Sequence, residues 1–467
     1  MREQMTDQGA TPGYATSQTR WSMVVLLSLV GAVSVVDRNV ILVLVPEIKA
    51  DLGISDSQFG LMQGLGFGLA YTGFGVVTGT LVDRVSRTRL LAVSMMFWSL
   101  ASAFCGIAQN FGQMLAGRLS VGVGESTAAP AAQSIITGIF PPTRVAAPIS
   151  IYVGVAALAT GLAVALGGVL LDWLTHHPLA VLGGLAPWRQ VLVLSSLPGF
   201  VLVVVLMFMP EPPRRRPRAQ VDEGNSWRAY WKFVTLNPAA VLGLLFGNAF
   251  GSMASYAALA WAPTYGRRVL GMSAQHVGEA LGLIIGVGAV LTTLLFGFVV
   301  DHRVQRGDFA FAQKLMMGLL ALALPVAMWA FLRDDPTFFF IAIACLQCGV
   351  SSCVGPVIAA THMISPRQMS GRTGAVTMIV TSVFAYGGGS LIVGMLTDYV
   401  YRSPMKLGLS IATTILIAVP LSFGCFLMAH RAFLRRVALL ADGSEGLAGR
   451  HSPGATAQKV AIAARRG

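Results

Sequence analysis

Twelve windows of about 20 residues or more run through this chain almost free of charge, at 21–45, 58–80, 90–109, 113–138, 146–171, 188–209, 236–262, 276–300, 311–332, 337–361, 372–396 and 406–430. An α-helix needs about 20 apolar residues to cross the hydrocarbon core of a bilayer, so each window predicts a membrane-spanning helix. Composition agrees. Of 467 residues, 55% are hydrophobic and only 11% charged, whereas soluble domains carry about 25% charged residues. A soluble enzyme is excluded. The 52 glycines follow no collagen period and suit close helix packing in lipid. The expected fold is an all-α integral membrane protein of twelve transmembrane helices in two six-helix pseudo-repeats.

The segment "PEPPRRRPRAQVDEGNSWRAYWKF" is polar and proline-rich, and proline cannot continue a helix, so 210–235 reads as a linker. Its second part, from Trp227 to Phe233, has the aromatic and basic character of a surface-lying helix. The expected organisation is a tail at 1–20, a six-helix half at 21–209, the linker, a second half at 236–432 and a tail at 433–467. No cleavable signal is expected at the start. With both termini on one side, that side holds 24 of the 33 lysines and arginines and the opposite loops hold seven. Positive residues favour the cytoplasmic face, so both ends and the linker are expected there, in the cell inner (plasma) membrane. The net charge of +13 is therefore loop charge, and no nucleic acid is expected as a partner. The five cysteines all fall in apolar segments and offer no disulfide framework; Cys345 and Cys348 read as packing residues.

The two halves echo one another. "GTLVDRVSR" follows the second window and "GFVVDHRVQR" the eighth; Gly79 aligns with Gly297 and Asp83 with Asp301, 218 residues apart in both cases. "GVGESTAAP" and "VSSCVGP" repeat at an offset of 226. Parallel repeats of six helices point to duplication.

The motif Gly79-x-x-x-Asp83-Arg84-x-x-Arg87 resembles that of the major facilitator superfamily between helices 2 and 3, although Ser86 stands where the family has glycine. Arg118-x-x-x-Gly122-x-Gly124 resembles the superfamily's helix-4 motif of proton-coupled members. "VDRNV…PEIKADLGISDSQFGLMQG", "GRLSVGVGEST", "WAPTY" and "SPRQMSGRTGA" are similar to the Spinster-like branch, whose animal members export lysophospholipids or sphingoid lipids. "YGGGS" at 386–390 departs from that branch, where a proline usually follows the glycines. The Asp-Arg and Gly-Glu arrangement also resembles the anion:cation symporter branch, carriers of organic acids with protons. The resemblance implies a secondary transporter working by alternating access, with helices 1, 4, 7 and 10 lining a cavity. It also assigns Gly79, Asp83, Arg84 and Arg87 to a conformational latch between the halves.

Four charges sit deep in apolar windows: Asp37, Arg38, Arg118 and Glu125. A charge at the bilayer centre costs at least about 2.5–3.5 kcal/mol, so such residues are read as functional. Arg118 and Glu125 are seven residues apart and share a helix face; Asp37 and Arg38 diverge by about 100°. Asp37 and Glu125 are the expected proton-coupling pair, and Arg38 and Arg118 modulators or anion ligands. A static ion-pair cluster that locks two helices is the competing reading. The second half offers only neutral polar groups; Asn248 and Tyr256, with Tyr71 and Tyr152 of the first half, are candidates for substrate contact. Expected partners are protons, membrane lipids and a small amphiphilic, lipid-like or organic-anion solute, with a monomer as the working unit. No P-loop, HExxH or nucleophile elbow occurs, so neither enzyme activity, a cofactor nor a metal is expected. Two alternatives remain: a proton:organic-anion symporter, and a non-transporting membrane sensor on the same fold.

Overall fold

The computed structural model describes residues 16–141, 144–212, 227–366 and 369–441. Most of both expected tails (1–15 and 442–467) and the linker core at 213–226 lie outside the described residues. Among the described residues the chain is helical, with no strand. Eleven continuous helices are long and apolar enough to cross a membrane. In chain order the spans are α1 (Ser17–Leu42), α2 (Asp56–Val82), α3 (Arg87–Ile107), α5 (Ala146–His176), α6 (Pro187–Met207), α7 (Pro238–Arg268), α8 (Ala274–Gln305), α9 (Phe311–Arg333), α10 (Pro336–Ile364), α11 (Gly371–Val400) and α12 (Pro404–Leu440).

The fourth expected span, α4, is present but broken into Phe111–Glu125 and Ala128–Ile139. The cause is local. Pro130 has no N–H for the Ser126 carbonyl four residues back and its ring crowds that oxygen, which accepts from the Thr78 hydroxyl at 3.2 Å instead. At the other end of the chain, α12 continues past the expected boundary near 430, because Phe433, Arg436 and Val437 are buried rather than solvated.

Helix starts are written in side chains that take up the orphan N–H groups of a first turn. Thr16 caps α1, Ser86 caps α3 and Asn110 caps α4. Ser55 and Gln58 form a reciprocal capping box at the start of α2. Asp335 caps α10 ahead of Pro336, which needs no partner for its nitrogen. Wider π-helical turns interrupt α2 at Leu61–Gly66, α10 at Cys345–Val350 and α11 at Val383–Gly389. Such turns often mark functional sites, and these three carry Gln63, Gln347 and Tyr386.

Two compact units emerge. The first comprises Met1–Ala219, Trp261–Val287 and Gly394–Met405; the second comprises Gln220–Ala260, Gly288–Val393 and Lys406–Gly467. Within the first, α5 and α8 meet backbone to backbone: a Cβ placed on Gly161 or Gly168 would lie 2.3 Å from the Gly282 or Ala274 carbonyl oxygen. Within the second, α7 and α12 meet in the same way, with a Cβ at Gly243 falling 2.7 Å from the Cys425 carbonyl oxygen. Small residues permit this approach where lipid supplies no hydrophobic drive between helices.

Candidate functional site

All four mid-membrane charges converge in the first unit. Asp37 and Glu125 are fully buried, Arg118 is 1% exposed, and the Arg38 side chain keeps 13% of its surface accessible. The Arg38 guanidinium donates to Glu125 Oε2 through Nη2 at 2.6 Å and Nε at 3.0 Å. It also lies over the rings of Phe67 at 4.9 Å and Tyr71 at 4.6 Å, both on α2. Among the described residues Arg118 makes no ion pair. Its fork donates to the carbonyls of Asp37 at 3.3 Å and Arg38 at 3.1 Å, and to Gln63 Oε1 at 2.8 Å. Gln63 in turn donates to the Arg38 carbonyl at 3.1 Å. Arg118 therefore grips the backbone of α1 where the π-helical turn of α2 presents an amide.

The two carboxyl groups have unlike surroundings. Glu125 is ion-paired through Oε2, while its Oε1 accepts no hydrogen bond among the described residues. Neither oxygen of Asp37 has a hydrogen-bond partner there. The adjacent Ser195 hydroxyl on α6 donates to the Leu192 carbonyl at 2.9 Å. A buried polar group without a partner carries a free-energy penalty and calls for a functional reason. Tyr152, on α5, is 7% exposed and its ring rests against α1 at Gly31, where even a Cβ would stand 2.9 Å away.

The second unit holds a cavity of about 200 Å³ with no charged lining residue, bounded by Ser252, Ser255, Tyr256, Gln347, Ser351 and Tyr386 among others. Ser255 bridges to Ser351 at 2.7 Å and to the Leu346 carbonyl at 3.1 Å, and Gln347 donates to the Ser255 carbonyl at 2.6 Å. Tyr256 and Tyr386 meet edge to face, their centroids 4.6 Å apart. Asn248 lies outside the lining and donates to Thr381 at 3.1 Å, while its Oδ1 has no partner among the described residues. Drug-sized sites run to about 300–1,000 Å³, so this cavity has the volume of a small group rather than of a whole lipid.

The resemblance-assigned latch residues lie beyond α2. Asp83 and Arg84 are exposed, and nothing crowds Gly79. Arg87 is buried, pairs with Glu211 Oε1 at 2.9 Å and donates to the Ser134 carbonyl at 3.1 Å. Burial would raise the Glu211 carboxyl, but hydrogen bonds from Ser86, Arg87 and Thr88 outweigh it and hold the group below its ordinary range. At the opposite end of α2, buried Asp56 accepts from Lys49 and, at 2.9 and 3.1 Å, from Arg268. Arg267 pairs with Glu47 at 2.8 Å, and Asp398 accepts from the Ser57 amide at 2.6 Å. Burial pushes the Lys49 ammonium below its ordinary range, against the pull of Asp56. No role was assigned in advance to Gln63, Ser195, Glu211 or this α2-end cluster, although the Spinster-like stretch PEIKADLGISDSQFGLMQG runs through Glu47, Lys49, Asp56, Ser57 and Gln63.

A polytopic helical membrane protein with ionisable groups buried at mid-span has the build of a solute transporter. Residues 27–388 match the Major Facilitator Superfamily, and the chain belongs to that family of membrane transporters. It is 26% identical over 419 residues to an MFS-type efflux pump of Mycolicibacterium smegmatis, covering 89% of this chain and 94% of that protein. Protein spinster homolog 1 of Xenopus laevis is 29% identical over 253 residues, covering 52% of this chain and 45% of that protein. A probable galactarate/D-glucarate transporter of Escherichia coli is 24% identical over 404 residues, covering 78% and 85%. A bacterial homologue of the human lysosomal transporter Spinster, crystallised inward-facing and unoccupied, superimposes with a TM-score of 0.78 at 23% identity, covering 90% of this chain and 99% of that one. Within the superfamily the similarity thus runs to the Spinster-like branch.

Proposed function

We propose that this chain is a proton-coupled secondary transporter that moves a small amphiphilic solute by alternating access, with both termini cytoplasmic and the six-helix halves 21–209 and 236–432 as its moving bodies. The carrying observation is the pairing of Arg38 with Glu125 beside a fully buried Asp37 whose oxygens have no partner among the described residues. Proton binding at Glu125 dissolves its ion pair with Arg38, and the freed guanidinium becomes available to an acidic or zwitterionic head. Proton and cargo then act on one network and bias one conformational equilibrium. Within the second unit, the uncharged cavity beside Tyr256 has neutral polar groups and aromatic rings together, a lining that supports an amphiphile over a simple ion. A relative named as an efflux pump supports export, and the similarity to Spinster proteins supports the lipid-like cargo that this resemblance implies.

A second reading, proton:organic-anion symport, has its own support in the similarity to the galactarate/D-glucarate transporter and in the accessible part of Arg38. A thermal-shift screen of the purified chain against lysolipids, sphingoid bases and sugar acids at pH 5.5 and 8 separates the two. The strongest stabiliser then serves as cargo in proteoliposomes carrying an internal pH dye. Cargo-dependent proton movement is expected in the native chain and is lost in Asp37→Asn and Glu125→Gln. Unaltered proton movement in both variants would remove the coupling role and leave a static cluster.

A further inference from the structure

The second unit carries a basic pocket that the transport reading does not use. The short helix Trp227–Leu236 ends at Asn237 and turns into α7 at Pro238. Against that turn lies the last part of α12, and the two enclose a cavity of about 230 Å³ lined by Leu236, Asn237, Pro238, Arg435, Arg436 and Leu439 among others. Among the described residues no carboxylate lines it. Arg435 is exposed and makes no hydrogen bond or ion pair with any described residue. Arg436 is only 7% exposed, its guanidinium lying over the Phe233 ring at 5.6 Å. Deeper in the unit the seam between α7 and α12 is shut, with Gly247 against Phe426 and the Ser422 hydroxyl bonded to the Gly247 carbonyl at 2.6 Å. The cavity opens toward the end of the seam, where the arginines stand.

The rim is built for an interface. Along Trp227–Leu236, Tyr230, Phe233 and Val234 face inward, whereas Trp227 and Trp231 are about half exposed one turn apart, with Arg228 and Lys232 exposed beside them. Tryptophan and lysine in such a stripe belong at the level of lipid headgroups. Leu236 and Leu439, 70% and 47% exposed, flank the arginines with apolar surface. A free anion has no use for that surface; an acyl chain does.

We propose that this pocket binds the headgroup phosphate of an anionic glycerophospholipid of the adjacent leaflet. Arg435 and Arg436 meet the phosphate, the first-turn N–H groups of α7 add donors, and Leu236 and Leu439 meet the upper acyl chains. The cytoplasmic placement of that leaflet rests on the orientation proposed above, but binding itself does not depend on proton coupling.

The test is native mass spectrometry of the full chain in detergent, titrated with phosphatidylglycerol or with phosphatidylcholine of the same acyl chains. The native chain retains phosphatidylglycerol at about tenfold lower concentration than phosphatidylcholine. Arg435→Ala raises the concentration needed for phosphatidylglycerol about fivefold. Arg431→Ala, a cation on the same helix outside the lining, changes it less than twofold. Arg436→Gln deepens the loss, with the size-exclusion profile reporting whether that buried position still folds. Equal retention of both lipids, native retention in Arg435→Ala, or an equal loss in Arg431→Ala would overturn the site. Displacement of the lipid by inorganic phosphate as readily as by more phosphatidylglycerol would make it a free-anion site and overturn the lipid assignment.

Discussion

The charged cluster of the first unit and the neutral cavity of the second are both polar regions inside membrane-spanning helices, yet they are built by opposite rules. Around Arg38 and Glu125 a few strong, charge-assisted contacts hold side chains in a closed arrangement with almost no accessible surface. Around Ser255 and Tyr256 neutral groups make short bonds to serines and carbonyls and leave about 200 Å³ open. Removing one partner of a buried ion pair strands the other, whereas removing one hydroxyl from an open neutral site strands little. The first region is therefore suited to switching and the second to accommodation.

Mutations break or sharpen this contrast by size of effect. The largest is expected from Glu125→Ala, which removes the carboxylate from the buried Arg38–Glu125 pair and costs about 3–5 kcal/mol, read from the unfolding free energy in a detergent titration. A cost below about 1 kcal/mol would mean that the pair is not a buried network at all. Arg118→Lys comes next. A lysine cannot reproduce a fork that reaches two α1 carbonyls and Gln63 together, so about 1–3 kcal/mol is lost while the Arg38–Glu125 pair survives.

Tyr256→Phe probes the other region. It keeps the edge-to-face contact with Tyr386, so stability stays within about 0.5 kcal/mol while the midpoint for the stabilising solute shifts about three- to tenfold. An unchanged midpoint would take the cavity out of cargo binding. Glu211→Gln, outside the membrane-spanning segments, gives the smallest effect. Its carboxyl is held below its ordinary range, so it favours the folded state above that range and the contribution is lost as pH falls through the folded value. The native melting temperature is expected to drop more steeply between pH 5 and pH 3.5 than that of the variant. The glutamate is one-third exposed and its pairing with Arg87 is worth well under about 1 kcal/mol.

The fold was legible because a bilayer forces long apolar windows on any helix that spans it, and eleven of the twelve windows appear as continuous helices. The break in α4 was missed although Pro130 stands in plain sight, since one proline barely changes the hydropathy of a window of about 20 residues. The mid-membrane charges were legible because they interrupt those windows. Their uncharged supporters were not: Gln63 is one amide among many until a π-helical turn aims it at Arg118. The neutral groups of the second half could be named, but Ser255 and Ser351 stand 96 residues apart and only the fold brings them to 2.7 Å. Glu211 was missed for the same reason, lying 124 residues from Arg87 in a stretch read as linker.

The aromatic bed beneath Arg38 has a consequence of its own. Phe67 and Tyr71 offer the guanidinium a second resting place that does not depend on the charge of Glu125. When the carboxylate lets go, the cation is still cushioned by ring electrons, so divorce is cheaper than it would be against bare aliphatic walls. In the transport reading proposed above, that cushion turns what would otherwise be a rivet into a clasp.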